Sequence, residues 1–550
     1  MPHAPSSNPH SRSRARVAAF TTVAIAIAGF ALWLAWSPPG ANEVVGGDEG
    51  YYGTMARNLL ADPRQVAGPS LSPLGPPGDK PPLVPAMIAL SIRALGVTPQ
   101  ALRVPGLVAA FAMVLALAFF AAQFAGVWGA PLAAALMIAL PWFADSARVA
   151  AAEPMLTALG ALAIAVAAAG PPTRARGIGA GALLGLVFLC KLWLVALVAL
   201  PVVALLWPAR GRGAAPLALA VGAALAVGAL QLALVAALAP HTLPHWLGIY
   251  FGFSLAGRAA GTGFANYWLL PPGYYAALLG HALLLHLPLV ALGLAAATRR
   301  IREPAPRSLL VWAFGAVVLS CFAVKSGVYA YVVMPAWIGL ATLGAVSLAR
   351  GERPSWTALA LVAVLGAPPV AARLGDRAVP LSMWLGVWAV AFGGIALARA
   401  RPRLAPWVAG ALVAAVVAGG MLRESRRLPY RYHVPGYAAV RSVMEPWVAA
   451  SPPDRACFVA PEAPAFAYHL FRTGRYWGTP VAPWRAQDRV AITADTALRV
   501  FVVDRERTLY GGWPDSATVA WLEGSTREIS DEIAGPGEAR PRFRIFVRVP

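Results

Sequence analysis

Runs of about twenty apolar residues recur along this chain, separated by short clusters of arginine. A helix of that length crosses the hydrocarbon core of a bilayer, and a chain that repeats such runs has little freedom to fold in water. Composition agrees. Hydrophobic residues make up 59% of the 550 and charged residues 13%, about half the charge of an ordinary soluble domain. The length therefore does not translate into several soluble domains. The net charge of +21 does not describe a nucleic-acid-binding face, because the arginines form no single patch. They cluster between apolar runs, at Arg12, Arg14 and Arg16, at Arg174 and Arg176, at Arg210 and Arg212, at Arg299, Arg300, Arg302 and Arg307, at Arg350 and Arg353, and at Arg399, Arg401 and Arg403. That spacing follows the positive-inside rule, each cluster marking a cytoplasmic loop. Cys190, Cys321 and Cys457 lie far apart and suggest neither a disulfide framework nor a zinc site.

With the arginine clusters inside, one topology follows. The run Val17 to Trp36 is long for the core of a signal peptide, and Ser37-Pro38-Pro39 is a poor cleavage site. It reads as an uncleaved first span, preceded by a cytoplasmic N-terminus at 1–16. Residues 37–102 form a long external loop. Spans two to four fall at about 103–123, 126–144 and 154–170. The stretch 177–208 is too long for one helix and divides into two, with Lys191 near the outer turn. Later spans fall at about 215–239, 272–298, 308–324, 328–348, 357–374, 381–398 and 405–421, with a second external loop at 240–271. The predicted fold is thus an α-helical polytopic membrane protein of about thirteen spans, its membrane module covering 17–421. An odd number of spans puts 422–550 outside as a small α/β domain. There 500–503 and 543–547 read as strands and Tyr437 to Ala449 as a helix.

Charges near a bilayer are costly, so rare ones are functional candidates. Only ten acids precede residue 421, and seven of them (Glu43, Asp48, Glu49, Asp62, Asp79, Asp145 and Glu153) fall in the first two predicted external segments. The chain has three lysines, Lys80, Lys191 and Lys325, against 42 arginines. All three lie near predicted external helix ends. Acids and ammonium groups thus converge on one membrane face, which suits a site that holds a lipid phosphate and takes a proton from a hydroxyl. Glu43, Asp62 and Asp145 read as solvated loop residues, whereas Asp48 and Lys80 read as functional.

Residues 48–57 run Asp-Glu-Gly-Tyr-Tyr-Gly-Thr-Met-Ala-Arg, and 79–82 run Asp-Lys-Pro-Pro. Together they resemble the first periplasmic loop of bacterial GT-C glycosyltransferases of the protein O-mannosyltransferase / lipid A aminoarabinose transferase family. Asp48, Glu49, Tyr52, Arg57, Lys80, Pro81 and Pro82 match that pattern; Asp79 stands where relatives often have Glu. Arg148 followed by Glu153 is similar to the family's Arg and, five residues on, Asp. Lys325, Tyr329 and Pro335 are similar to its Lys-x-x-x-Tyr segment, and Lys191 to a Lys common after span five. The resemblance covers about 17–350 well and the remainder in architecture only.

The resemblance implies an inverting transfer of a sugar from a polyprenyl-phosphate donor to a hydroxyl of a lipid, glycan or protein acceptor, at the outer face of the bacterial inner membrane. Asp48 would be the general base. Glu49 would orient it, bind the acceptor or anchor the loop. Arg57, Lys80, Arg258, Lys325 and Tyr329 would hold the donor phosphate, Arg258 reading equally as an interfacial arginine. Tyr52, Asp79, Arg148 and Lys191 would contribute to substrate binding. Glu153 would support the site, contribute to a cation site, or sit as an acid at a helix N-terminus beside Pro154. No cofactor is required. A divalent metal is unsupported, since Pro244 interrupts the helix that would bring His241 and His245 to one face. His281 and His286 read as packing or hydrogen-bonding residues, and Trp268, Tyr274 and Tyr275 as an interfacial belt. The competing reading is a transporter or flippase of a lipid-linked or anionic solute. That would place charges near the midplane on broken helices, often within inverted repeats, and no repeat is evident.

Overall fold

The computed structural model describes residues 9–35, 48–69, 80–140, 143, 147–208, 213–248, 250–251, 283–321, 332–365, 381–431, 457–458, 475–476, 494, 500–504, 516–533 and 543–548. The architecture is mostly helical. The helices are α1 (Pro9–Ala35), α2 (Asp48–Ala61), α3 (Leu83–Leu95), α4 (Pro99–Ala125), α5 (Gly129–Ile138), α6 (Ala152–Ala168), α7 (Arg174–Lys191), α8 (Val195–Leu206), α9 (Ala215–Leu238), α10 (Leu243–Leu247), α11 (Leu287–Arg299), α12 (Pro304–Cys321), α13 (Met334–Ala349), α14 (Trp356–Leu365), α15 (Leu381–Ala400), α16 (Ala405–Arg431) and α17 (Ser516–Ser525). Several are apolar and long enough to cross a membrane: Pro99–Ala125, Ala215–Leu238 and Pro402–Leu422, beside shorter apolar helices such as Ala152–Ala168 and Met334–Ala349.

Local signals set the helix ends. Thr98 accepts a hydrogen bond from the Ala101 amide at 3.1 Å, with Pro99 as the first residue of α4. Thr173 does the same for α7, accepting from the Arg176 amide at 3.3 Å. Both are side-chain caps for amides that have no partner inside the helix. At 27 residues, α4 is about 40 Å long, at roughly 1.5 Å per residue. It packs against α3, α5, α6 and α13 at the centre of one apolar core that includes Met113, Phe120, Leu136, Trp312 and Ile338.

The predicted spans coincide with described helices wherever residues are described. The stretch 177–208 does divide, and it does so at Leu192, which ends α7 with a left-handed φ of +46°. A leucine in that region is strained, because its Cβ crowds the following carbonyl oxygen. The segment predicted as a long external loop, 37–102, is the main departure. It contains α2 and a second helix, α3, which packs on α2, α4 and α7. Val84, Ile88, Ala89 and Ile92 of α3 are buried, while Met87, Leu90 and Leu95 are exposed. A helix of thirteen residues is too short to cross the bilayer. Apolar on its exposed side as well, it suits the membrane interface.

The arginine clusters do more than mark a membrane face. Arg300 and Arg350 donate to the Phe124 and Ala125 carbonyls, at 3.1 and 2.9 Å, at the C-terminus of α4. Arg307 donates to the Ala204 carbonyl near the end of α8 at 2.7 Å. Cations at carbonyl-rich helix ends satisfy those orphan acceptors and complement the helix dipole. Beside them Arg300 pairs with Glu303 at 2.6 Å, and its hydrogen bond holds the Glu303 carboxyl below the usual carboxylate range.

Near the C-terminal end, β3 (Val500–Asp504), β5 (Phe543–Val547) and β4 (Arg527–Glu528) form an antiparallel sheet in the order β3-β5-β4. Residues β1 (Cys457–Phe458) and β2 (Arg475–Tyr476) form a short parallel pair. Both predicted strands are present. The predicted helix from Tyr437 to Ala449 lies outside the described residues.

Candidate active site

Two groups of charges separate along α4. The arginines that cap helix ends gather at its C-terminus. At its N-terminal end stand Arg103, the first turn of α2, the segment 147–153 and the C-terminus of α7.

Asp48 is the first residue of α2. Its neighbour Glu49 is fully buried. Arg103 grips the Glu49 carboxylate through Nε, 2.9 Å from Oε1, and through Nη2, 3.1 Å from Oε2. The Ala150 amide donates to Oε1 as well, at 3.2 Å. One carboxylate thereby joins α2, α4 and the segment leading into α6.

Ala150 is followed by Glu153, in the first turn of α6, and Lys191 ends α7. Lys191 donates to Glu153 in a buried ion pair. The carboxylate sits at a helix N-terminus and the ammonium at a helix C-terminus, so both helix dipoles favour the pair. Lys80 is half-buried just before α3, and Arg57 and Arg148 are half-buried on α2 and beside Ala150. Tyr52 is fully buried in the core formed by α2 and its neighbours. Asp62 caps the 3-10 turn Pro63–Ala67 by accepting from the Arg64 amide at 3.0 Å. Asp79, Arg258, Lys325 and Tyr329 lie outside the described residues, as do Glu43, Asp145, Trp268, Tyr274, Tyr275 and His281. His286 is buried, with Nε2 3.0 Å from the Leu136 carbonyl oxygen, a hydrogen-bonding role. Among the described residues no group of three or more His, Cys, Asp or Glu could hold a metal ion.

Two residues escaped sequence reading. Arg103 sits in the second turn of an otherwise apolar helix, and its rarity there was the available signal. Gln231, buried in the apolar helix α9, donates from its amide nitrogen to the Val66 and Ala67 carbonyls at 3.3 and 3.2 Å. It straps the 3-10 turn to the membrane module. Gln231→Leu is expected to leave both carbonyls short of a donor, costing on the order of 1–2 kcal/mol of local stability. Tryptic cleavage after the exposed Arg64 in detergent solution should then become roughly tenfold faster. An unchanged rate would show that the amide is not what holds the turn.

The fold and these contacts define a class: a mostly α-helical, multi-pass membrane protein with several apolar helices and a small β element. Among solved structures, the chain is similar to ArnT from Cupriavidus metallidurans bound to undecaprenyl phosphate, with 19% identity, a TM-score of 0.66, and coverage of 96% of this chain and 98% of that one. The apo state of the same protein gives 18% identity, a TM-score of 0.67, and coverage of 97% and 98%. Archaeal oligosaccharyltransferase AglB from Archaeoglobus fulgidus, in complex with an inhibitory peptide and a dolichol-phosphate, is similar at 14% identity and a TM-score of 0.53, over 97% of this chain and 76% of that one. At such identities the likeness is one of fold. No family model and no curated protein sequence matches the chain.

Proposed function

We propose that this protein is an inverting glycosyltransferase that moves a sugar from a polyprenyl-phosphate donor to a hydroxyl-bearing acceptor at the outer face of a bacterial inner membrane. The observation that carries the reading is the shared fold over nearly the whole of both chains with ArnT, a protein solved with undecaprenyl phosphate bound. The convergence of Glu49, Arg103, Ala150, Glu153 and Lys191 at the end of the helices where Asp48 begins α2 supports it.

In this reading Asp48 takes the proton of the acceptor hydroxyl as that oxygen attacks the anomeric carbon. The bond from that carbon to the phosphate oxygen breaks, and polyprenyl phosphate leaves with the electron pair. Lys80 and Arg57, with Arg258, Lys325 and Tyr329, stabilise the charge developing on the departing phosphate. Arg148 borders the same segment. Glu153 and Lys191 hold α6 and α7 together beneath it. The domain division proposed is a short cytoplasmic N-terminus at 1–16, the membrane module at 17–421 and an extracytoplasmic α/β domain at 422–550.

The test is sugar transfer by purified wild type and Asp48→Asn, with a panel of labelled polyprenyl-phosphate sugars as donors and an envelope extract as acceptor. Wild type should transfer label, and Asp48→Asn should be slower by about a hundredfold or more, the size of a general-base contribution. Binding of undecaprenyl phosphate should be retained by the variant. Absence of transfer from every donor, with labelled lipid instead crossing a liposome bilayer, would overturn the reading in favour of a transporter.

A further inference from the structure

We propose that Arg103 is a positioning residue for the reaction, holding Asp48 in place through Glu49. The inference rests on Asp48 being the base. It arises from a contact that the proposed chemistry does not use.

Three hydrogen bonds converge on the Glu49 carboxylate, two from Arg103 and one from the Ala150 amide. The Arg103 fork engages both carboxylate oxygens at once, which fixes direction as well as distance. A lysine at 103 would supply the charge without the fork. Glu49 lies in the first turn of α2, so its tether fixes the height and rotation of that turn and hence the backbone position of Asp48. The other end of the tether is the segment 147–153. That segment also carries Arg148 and Glu153, and Glu153 is held by Lys191. The base and the cations of the site are thus registered to one another through Arg103, which itself stands on the central helix α4.

An ordinary buried ion pair would serve the fold and leave the rate constant alone. A positioning pair would not, since a displacement of about 1 Å at a reacting group can cost on the order of a hundredfold.

The experiment uses the full-length protein in detergent or nanodiscs, with the labelled polyprenyl-phosphate sugar that wild type transfers fastest and undecaprenyl phosphate as a binding probe. Arg103→Gln should lower kcat by roughly tenfold to a hundredfold, with KM for the donor and the Kd of undecaprenyl phosphate within about twofold of wild type. Arg103→Lys should recover part of the loss. Glu49→Gln, alone or combined with Arg103→Gln, should lower kcat to a similar extent, as expected where the two side chains act as one tether. A folded Arg103→Gln with wild-type kcat would overturn the proposal. If Arg103→Gln does not fold, the double variant, which buries no lone charge, decides: wild-type kcat overturns the proposal, and reduced kcat with normal undecaprenyl phosphate binding supports it. Failure of wild type itself to transfer sugar would instead count against the proposed function.

Discussion

Lys191→Met is expected to destabilise this protein by about 3–5 kcal/mol, the range for removing one partner of a buried ion pair. Glu153 is almost wholly buried, and the ammonium that holds it comes from the end of a neighbouring helix. With Met at 191 the carboxylate would be left in apolar surroundings formed in part by Cys190 and the α6 core. It would then have to take up a proton or draw water in, and either is costly. Lys191 also precedes Leu192, whose left-handed backbone is sustained only because its surroundings hold it. Leu192 packs with Val235, Trp246 and Tyr250. Loss of the ion pair therefore removes a restraint next to a strained turn. The measurement is thermal unfolding in detergent, followed by tryptophan fluorescence. Combining Lys191→Met with Glu153→Gln should recover most of the lost stability, because no charge is then stranded. A Lys191→Met protein that melts with wild type would refute the account, and would return Lys191 to a purely substrate-binding role.

A still larger effect is expected from Gly181→Val. On α7, Gly177, Gly181 and Gly185 recur every four residues along the face that meets α9. A Cβ at Gly177 or Gly181 would come within 2.1 Å of the Pro216 or Ala220 carbonyl oxygen. Those atoms are backbone, so the two helices would have to separate. Lipid chains are as apolar as leucine, which leaves close packing of this kind as a principal force joining membrane helices. The loss should exceed the roughly 1–3 kcal/mol of an overpacked core and appear as little monodisperse protein on size exclusion. Gly222→Ala is the matched control, since a Cβ there meets nothing within 4 Å. A monodisperse, normally melting Gly181→Val would show that α7 and α9 can part freely. Such parting would also free the 3-10 turn, because α9 carries Gln231.

The spans were legible because length and arginine spacing are both local signals, each sufficient to place a helix. The division of 177–208 was legible for the same reason, although the left-handed turn at Leu192 was not. No sequence rule assigns a positive φ to a leucine. Helix α3 was hidden by its length, since thirteen residues fall short of a span and pass as loop. At the site, Glu153 and Lys191 could be singled out by rarity, but their pairing depends on two helices meeting, and 38 positions separate them in sequence. Glu49 illustrates the limit more sharply. Its residue type allowed three roles, and its contacts with Arg103 and the Ala150 amide, more than fifty positions away, could not be read from the sequence. Arg103 itself belonged to no cluster and no motif, and drew no reading from the sequence.

The capping of α4 has a consequence for how the protein is made. The carbonyls of Phe124 and Ala125 receive their donors from Arg300 and Arg350, residues that emerge from the ribosome long after α4 has entered the bilayer. Until then the lower end of the central helix must borrow water or lipid headgroups. The nascent chain thus carries an unfinished joint while the 225 residues from Ala125 to Arg350 are made, out of 550. Arrival of α13 closes that joint and commits the first helices and the later ones to a single assembly.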